Sequence, residues 1–163
     1  MRDAVRNTLQ ITTPTDRDIV IRREFDAPRR LVFQALTKCE LLKRWLGVRN
    51  GWSLAVCEMD LKVGGKYRWV WHGSKGEVMG MGGVFREITA PERIVATERF
   101  DDAWYEGEAL DTTVLTEAGG RTTLTLTVTY ASREVRDMVL KTPMADGLGE
   151  SYDMLEKALA TMA

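Results

Sequence analysis

Residues 121–130 read RTTLTLTVTY, and threonine alternates with apolar side chains along most of this stretch. The apolar positions are Leu124, Leu126, Val128 and Tyr130. Successive side chains of a β-strand point to opposite faces of the sheet. The two-residue period therefore predicts a strand with one buried face and one wet face.

The same period recurs in the sequence that precedes this strand. It is found in DIVIRREF (18–25), WSLAVCEM (52–59), KYRWVWH (66–72), GEVMGMGGVFREI (76–88), RIVATERF (93–100) and ALDTTVLTE (109–117). From residue 52 onward, short turn-like spacers such as VGG, TAPE and EAGG separate most of these segments. Because short spacers leave no room for crossover helices, the strands are expected to pair in antiparallel fashion.

Helical spacing of apolar residues occurs in two parts of the chain. After the first strand, Asp26 is a candidate helix cap and Pro28 suits a first helical turn. A second short helix is expected to end at Gly47. Helical spacing returns after Ser132 and is expected to break at Pro143, where a final long helix begins.

The final helix carries one apolar stripe, made of Met144, Leu148, Tyr152, Leu155, Leu159 and Met162. Gly147 and Gly149 are expected to leave room where this helix crosses the sheet or a cavity. The sequence thus predicts an α+β fold, in which a curved antiparallel sheet of about six or seven strands wraps around the C-terminal helix. Residues 1–16 are expected to form a flexible lead-in to a single domain at 17–163.

Composition narrows the range of partners and locations. The chain has 23 basic and 24 acidic residues, so no electrostatic footprint for nucleic acid or an anionic membrane is expected. The N-terminus lacks the apolar core of a secretion signal. Cys39 and Cys57 are interpreted as small apolar residues without a disulfide framework, and a cytoplasmic location follows from that interpretation. With one histidine, no metal site or cofactor is predicted.

Five segments resemble a known superfamily in their order along the chain. They are FDAPRRLVFQALTKCELLKRWLG (25–47), MDLKVGGKYRWVW (59–71), GVFREITAPERIV (83–95), TTVLTEAGGRTTLTLTV (112–128) and MADGLGESYDMLEKAL (144–159). They resemble the START-related superfamily, often called SRPBCC. The nearer likeness is to its branch named for the activator of heat-shock-protein ATPase, which includes calicheamicin-resistance-type proteins. The resemblance implies a helix-grip (START/Bet v-like) fold.

A helix-grip fold implies a space between the sheet and the C-terminal helix, where small molecules bind. Tyr67, Trp69 and Trp71 share one strand face and are interpreted as core residues that also line this space. The full predicted lining consists of Tyr67, Trp69, Trp71, Met79, Met81, Phe85, Leu126, Val128, Leu148 and Tyr152.

Other polar residues are assigned to the surface or left open. His72 falls on the opposite strand face from the three rings and is expected to face solvent. Arg23 and Glu87 form either a buried pair that orients a ligand or a strand-to-strand ion pair.

Two further stretches carry unusual composition. Glycines 80, 82 and 83 are expected to mark a bulge or bend in their strand. The acidic residues Glu106, Glu108 and Asp111, near Trp104, are interpreted as a solvated loop at the rim of the cavity.

Three functions are compatible with this pattern. The first is binding of a small apolar or aromatic molecule by a monomer or homodimer. The second, implied by the resemblance, is regulation of a heat-shock chaperone's ATPase. The third is a cyclase-like enzyme acting on an aromatic or polyketide metabolite, for which no catalytic residue is predicted.

Overall fold

The computed structural model describes residues 7–102, 105 and 107–162. Within them the elements follow the predicted order of strand, short helices, strands and final helix. Their bounds are β1 Gln10–Thr12, β2 Asp18–Phe25, α1 Arg29–Thr37, α2 Cys39–Leu42, β3 Ser53–Met59, β4 Lys66–His72, β5 Val78–Thr89, β6 Arg93–Phe100, β7 Ala109–Ala118, β8 Arg121–Thr129, α3 Arg133–Leu140 and α4 Met144–Ala160.

The strands form one antiparallel sheet in the order β1-β2-β8-β7-β6-β5-β4-β3. Every strand predicted from the two-residue period is present. The sheet has eight strands because β1, a short strand within residues 1–16, adds to the edge of β2. Strand β2 joins the sheet by pairing with β8, with Ile19 opposite Val128 and Ile21 opposite Leu126.

The inner face of the sheet packs against the helices. Ile19, Ile21 and Phe25 of β2 are fully buried there, as is Leu155 of α4. The Tyr152 ring of α4 meets the Phe25 ring edge-on at 5.7 Å between centroids. Each large apolar side chain buried in this way stabilises the fold by about 1.5–3 kcal/mol. The predicted α+β helix-grip architecture is therefore confirmed.

The helix boundaries differ from the expected ones near the N-terminus. Pro28, rather than Asp26, is the residue that precedes α1, and no side chain caps the helix there. Asp26 instead pairs with Arg121 of β8. Helix α2 is a single turn, and irregular turns lead from it to Gly47, whose positive φ of 68° suits glycine. A Cβ at Gly47 would lie 2.4 Å from the Trp71 indole nitrogen.

The interpretation of both cysteines as free apolar residues is wrong. Cys39 of α2 and Cys57 of β3 form a disulfide, with 5.7 Å between their Cα atoms. Eighteen residues separate them in sequence, so the pairing depended on the packing of α2 against β3 rather than on a local motif. Since disulfides are rare in reducing compartments, the cysteine-based argument for a cytoplasmic location fails.

In the described part of the chain, no helix is both long enough and apolar enough to cross a membrane.

Candidate ligand-binding cavity

The three rings of β4 lie on the inner face of the sheet. The Tyr67 and Trp69 centroids are 4.7 Å apart, and those of Trp69 and Trp71 are 6.3 Å apart. Tyr67 donates to the Thr97 backbone oxygen at 2.7 Å, and Trp71 Nε1 donates to the Leu46 backbone oxygen at 2.9 Å. These two polar tips are therefore satisfied within the protein.

A cavity of about 100 Å³ lies against two of these rings. Its apolar lining consists of Leu36, Met59, Phe85, Ile94 and Ala96. Its remaining lining residues are Tyr67, Trp69, Asp111 and Thr113. Leu36 belongs to α1, and the other eight residues belong to strands β3 to β7. The cavity is thus enclosed between the sheet and α1, and α4 contributes none of its lining residues.

Three of the ten residues predicted to line a cavity lie at this one, namely Tyr67, Trp69 and Phe85. Most of the others pack in the core: Trp71, Met81, Val128 and Tyr152 are buried, and Leu126 and Leu148 are half-buried against it. Met79 is 43% exposed. The helix glycines do not open space here, because Gly147 faces the Arg49 side chain and Gly149 has nothing within 4 Å of a Cβ position.

The acidic lining residue of the cavity, Asp111, is paired with a second carboxyl group, that of Glu98, which is not itself a lining residue. Asp111 of β7 lies opposite Ala96 of β6, and Glu98 is two residues further along β6, on the same inner face. The two carboxyl groups lie within hydrogen-bonding reach of each other. The expectation that Asp111 belongs to a solvated loop is therefore wrong. The accompanying Trp104 and Glu106 lie outside the described residues.

Burial governs the charge of this pair. It raises the pKa of Asp111 well above its ordinary value, and repulsion from Glu98 raises that pKa further. Burial also raises the pKa of Glu98, against the lowering effect of its hydrogen bonds. As a residue Asp111 is half-buried because it lines the cavity, whereas its Oδ1 atom is inaccessible to solvent.

One oxygen of the pair lacks a hydrogen-bond donor among the described residues. Asp111 Oδ1 has no hydrogen-bond partner among the described residues. Its neighbour Glu98 is also an acceptor when ionised. Because burial raises both pKa values, a proton shared between the two carboxyl groups would supply a donor to Asp111 Oδ1.

All four tyrosines of the chain lie in the field of this pair. The Tyr105 hydroxyl donates to Glu98 Oε2 at 3.4 Å. Burial is the main cause that raises the pKa of each tyrosine, and the Glu98 or Asp111 charge adds to it. The four are Tyr67, Tyr105, Tyr130 and Tyr152. They remain neutral hydroxyl groups at physiological pH.

A second buried polar group lies at the cavity without a partner. Trp69 Nε1 is inaccessible to solvent and has no hydrogen-bond acceptor among residues 7–102, 105 and 107–162. A buried donor left unpaired costs about 1–3 kcal/mol. Such groups call for an explanation, and a bound molecule is one that fits a cavity wall.

Arg23 and Glu87 do not form the pair considered from sequence. Arg23 is buried on β2 and lies 3.4 Å from Asp153 and 3.7 Å from Glu156, both on α4. Glu87 accepts from Arg93 Nε at 2.6 Å on the exposed face of the sheet. Neither residue lines the cavity, so Arg23 ties α4 to the sheet instead of orienting a ligand there. His72 is exposed, as expected.

The strand glycines allow close approach rather than a bulge at their own positions. A Cβ at Gly83 would lie 1.8 Å from the Thr97 backbone oxygen. At Gly80 it would meet the ion pair between Arg68 and Asp101, at 2.3 Å from the carboxylate. The register shift of β5 lies further on, between Phe85 and Glu87.

Gly82 and Gly83 line an open groove of about 660 Å³. Its walls carry both signs of charge, from Lys66, Arg68, Arg99, Glu58, Asp101 and Glu108. The mixed charge gives this groove no preference for one class of ligand. In the described chain, no three or more His, Cys, Asp or Glu side chains come together as candidate metal ligands.

Sequence reasoning missed Glu98 and Asp111, although the sequence contained a usable signal. Glu98 alternates with Ala96 and Phe100, and Asp111 alternates with Ala109 and Thr113, so strand parity places both carboxylates on the inner face. A charged residue at an inward position is informative because such groups are rarely buried without a reason.

Comparison with known proteins identifies the family. The family model described as "Activator of Hsp90 ATPase homolog 1-like protein" matches residues 26–160. A search of curated proteins finds no match to the chain.

Solved structures share the fold over nearly the whole chain. A protein from Rhodobacter sphaeroides is 34% identical, with a TM-score of 0.89 over 94% of this chain and 99% of that one. A protein from Nitrosomonas europaea is 25% identical, with a TM-score of 0.80 over 92% and 98%. One from Mycobacterium smegmatis, 21% identical, has a TM-score of 0.81 over 93% and 96%. The chain therefore belongs to the Activator of Hsp90 ATPase homolog 1-like family, within the START-related (SRPBCC) superfamily.

Proposed function

We propose that this protein binds a small, mainly apolar molecule in the cavity between the sheet and α1. The observation that carries the proposal is the combination of apolar walls with two lining residues, Asp111 and Trp69, each of which has a buried polar atom without a hydrogen-bond partner among the described residues. Small-molecule sites characteristically have apolar linings with a few convergent polar groups.

The volume limits the size of the molecule. Pockets for drug-sized ligands measure about 300–1,000 Å³, whereas this cavity measures about 100 Å³. An engineered apolar cavity of about 150 Å³ binds benzene. The cavity therefore suits a molecule of about one ring, and a longer ligand requires α1 to move away from the sheet.

The test uses toluene and benzyl alcohol as probes. The Trp69 indole N–H resonance, assigned with a Trp69→Phe variant, reports binding at the cavity wall. We expect both probes to shift this resonance in a saturable way. If neither they nor a wider panel of one-ring compounds does so, the proposal fails.

Two neighbouring threonines provide a matched control. Thr113 lines the cavity, whereas Thr112 points to the other face of the same strand. Thr113→Leu fills the cavity and should abolish binding, while Thr112→Leu makes the same chemical change and should leave binding intact. Equal binding by both variants would place the ligand elsewhere.

The carboxyl pair favours an enzyme as the second candidate. Acidic groups whose pKa values are raised by burial are suited to general acid–base chemistry near neutral pH. If a bound ligand is converted by the wild type and not by a Glu98→Gln variant that still binds it, the protein is an enzyme.

A heat-shock chaperone partner stays a prediction that rests on the family description. ATP turnover by the chaperone, measured with and without this protein, tests it.

A further inference from the structure

The carboxyl pair of Asp111 and Glu98 differs from two acidic groups on the outer face of the sheet in having no cation beside it among the described residues. Asp101 pairs with Arg68, and Glu87 pairs with Arg93. For Asp111 and Glu98, no basic side chain among the described residues contributes to the electrostatic environment. A buried anion without a counter-charge is costly, so a cationic ligand is the missing complement.

The groups that face the pair from the surrounding elements are neutral. Tyr67 faces it from β4, Tyr105 from the connection between β6 and β7, Tyr130 from the end of β8, and Tyr152 from α4. The charged groups nearby influence the pKa values of these tyrosines. Arg23 lowers the pKa of Tyr152, Arg99 lowers that of Tyr105, and Glu108 raises that of Tyr67. Among the described residues, no basic side chain therefore acts on the pair itself.

The walls beside the pair are aromatic. Tyr67 lies between Trp69, at 4.7 Å, and Phe85, at 5.5 Å, and all three rings line the cavity. The faces of such rings attract cations, and the attraction grows when water is excluded. A carboxylate next to several ring faces is the chemistry that recognises an ammonium group.

We propose that the cavity binds a small organic amine in its ammonium form, with Asp111 and Glu98 as the anionic end and the Tyr67, Trp69 and Phe85 rings as the apolar wall. This inference rests on the proposed function, because it assigns the ligand class of the same cavity. The ammonium group supplies the counter-charge that the described residues do not, and its attraction to the ionised carboxyl groups favours release to solvent of the proton that burial holds on the pair.

Attraction between the ammonium group and the carboxyl pair predicts a link between binding and pH. Because the bound ammonium group favours the ionised form of the pair, amine affinity rises as the pH rises through the raised pKa values of Asp111 and Glu98. A neutral ligand of the same shape leaves the shared proton in place, and its affinity stays flat over the same range.

The experiment compares benzylamine, benzyl alcohol and toluene by calorimetry and by the Trp69 indole resonance. We expect benzylamine to bind at least about tenfold more tightly than benzyl alcohol at neutral pH. Calorimetry in two buffers of different ionisation enthalpy should show about one proton released per benzylamine bound. No proton release is expected for the other two probes.

Asp111→Asn keeps the shape of the side chain and leaves no carboxyl group among the residues that line the cavity. This variant should lose the preference for benzylamine while it retains binding of benzyl alcohol. Glu87→Gln removes one carboxylate from the exposed face of the same sheet and should leave the preference unchanged. Comparison of the two variants distinguishes an effect of the cavity carboxyl group from an effect of the overall charge of the protein.

The outcomes separate this inference from the proposed function. If benzyl alcohol and toluene bind and benzylamine binds no better, the amine inference is overturned and the ligand-binding function stands. If benzylamine is preferred equally by Asp111→Asn, the pair is not the recognition group and the inference also fails. If no probe binds the wild type, both proposals fail together.

Discussion

Two acidic sites on the same sheet behave in opposite ways. On the outer face, Arg68 and Asp101 form a two-bond ion pair that is roughly half exposed. On the inner face, Asp111 and Glu98 lie next to each other, and no cation from the described residues acts on them. The pKa of Asp101 is lowered, mainly by its hydrogen bond to Arg68, whereas burial raises the pKa of Asp111.

The difference shows that the environment, and not the residue type, sets the charge of a carboxyl group. Water and a guanidinium stabilise the ionised form of Asp101 on the outside. Inside, the described residues surround Asp111 with hydroxyl groups and apolar walls, and burial favours its protonated form. Strongly shifted carboxyl groups of this kind cluster at functional sites, which is why the cavity is the candidate site.

The largest effect is expected from the disulfide, because the inner face stays dry only while the helices cover it. Helix α2 follows α1, which contributes Leu36 to the cavity, and Cys39–Cys57 ties α2 to β3. Replacing both cysteines by serine should lower the free energy of unfolding by about 3 kcal/mol, from the greater chain entropy of the unfolded state. Urea unfolding of the oxidised wild type and of the double variant measures this difference in the free energy of unfolding. Equal unfolding midpoints would contradict a stabilising disulfide between Cys39 and Cys57.

The next largest effect is expected from Asp111→Asn, and Asp101→Asn serves as the comparison for its change in the free energy of unfolding. The first substitution removes a buried charge and supplies a donor to Glu98, so it should raise the free energy of unfolding by about 1–2 kcal/mol at neutral pH. The second breaks a surface ion pair and should lower it by less than about 1 kcal/mol. Chemical denaturation of both variants tests the signs, and a loss of stability in Asp111→Asn would argue against the shared proton.

The pH dependence of stability follows from the directions of these pKa shifts. The native protein holds protons on Asp111 and Glu98 above their ordinary pKa values of 3.8 and 4.5, while the unfolded chain releases them. The free energy of unfolding therefore falls as the pH rises from about those values through the raised ones. Asp101 contributes in the opposite sense, since its stabilisation is present above 3.8 and is lost as the pH falls through its lowered value.

Denaturation at a series of pH values measures this dependence. In Asp111→Asn, the free energy of unfolding should decline less as the pH rises. In Asp101→Asn, only the loss of stability at acidic pH should become smaller. A wild-type curve that climbs steadily from acidic to neutral pH would show that the inner carboxyl groups are ionised in the native state.

The smallest effect is expected at Gly80. A Cβ there would meet the flexible ends of Asp101 and Arg68, at 2.3 and 2.9 Å, so Gly80→Ala should displace this ion pair at a cost of less than about 1 kcal/mol. The pKa of Asp101 should return towards its ordinary value. Carbon-13 NMR titration of the carboxyl groups measures the pKa of Asp101 in the variant. An unchanged pKa would mean that Arg68 and Asp101 have room to re-form their ion pair.

Strand periodicity predicted most of the fold because one face of each strand is buried and the other is not. The period places β3 to β8 and β2 close to their observed bounds, and Pro143 correctly marks the start of α4. The pattern could not reveal β1, a three-residue edge strand, because its existence depends on pairing with β2. Nor could it reveal the disulfide, which requires α2 to pack on β3.

The candidate site was predictable only in part. The rings of Tyr67 and Trp69 were assigned to a cavity wall by parity, and they lie at the cavity. Asp111 was assigned to a solvated loop because it follows an acidic stretch, although the same parity places it inward. The place of the cavity under α1 depends on how the helices rest on the curved sheet, which no local pattern encodes.

The carbon-13 titration of the carboxyl groups in the folded wild-type protein tests the central claim most directly. The account predicts that Asp111 and Glu98 titrate above their ordinary values and influence each other's curves, while Asp101 titrates below its own. Addition of benzylamine should lower the apparent pKa of the inner pair. Independent titration of Asp111 and Glu98 at ordinary values would contradict the account.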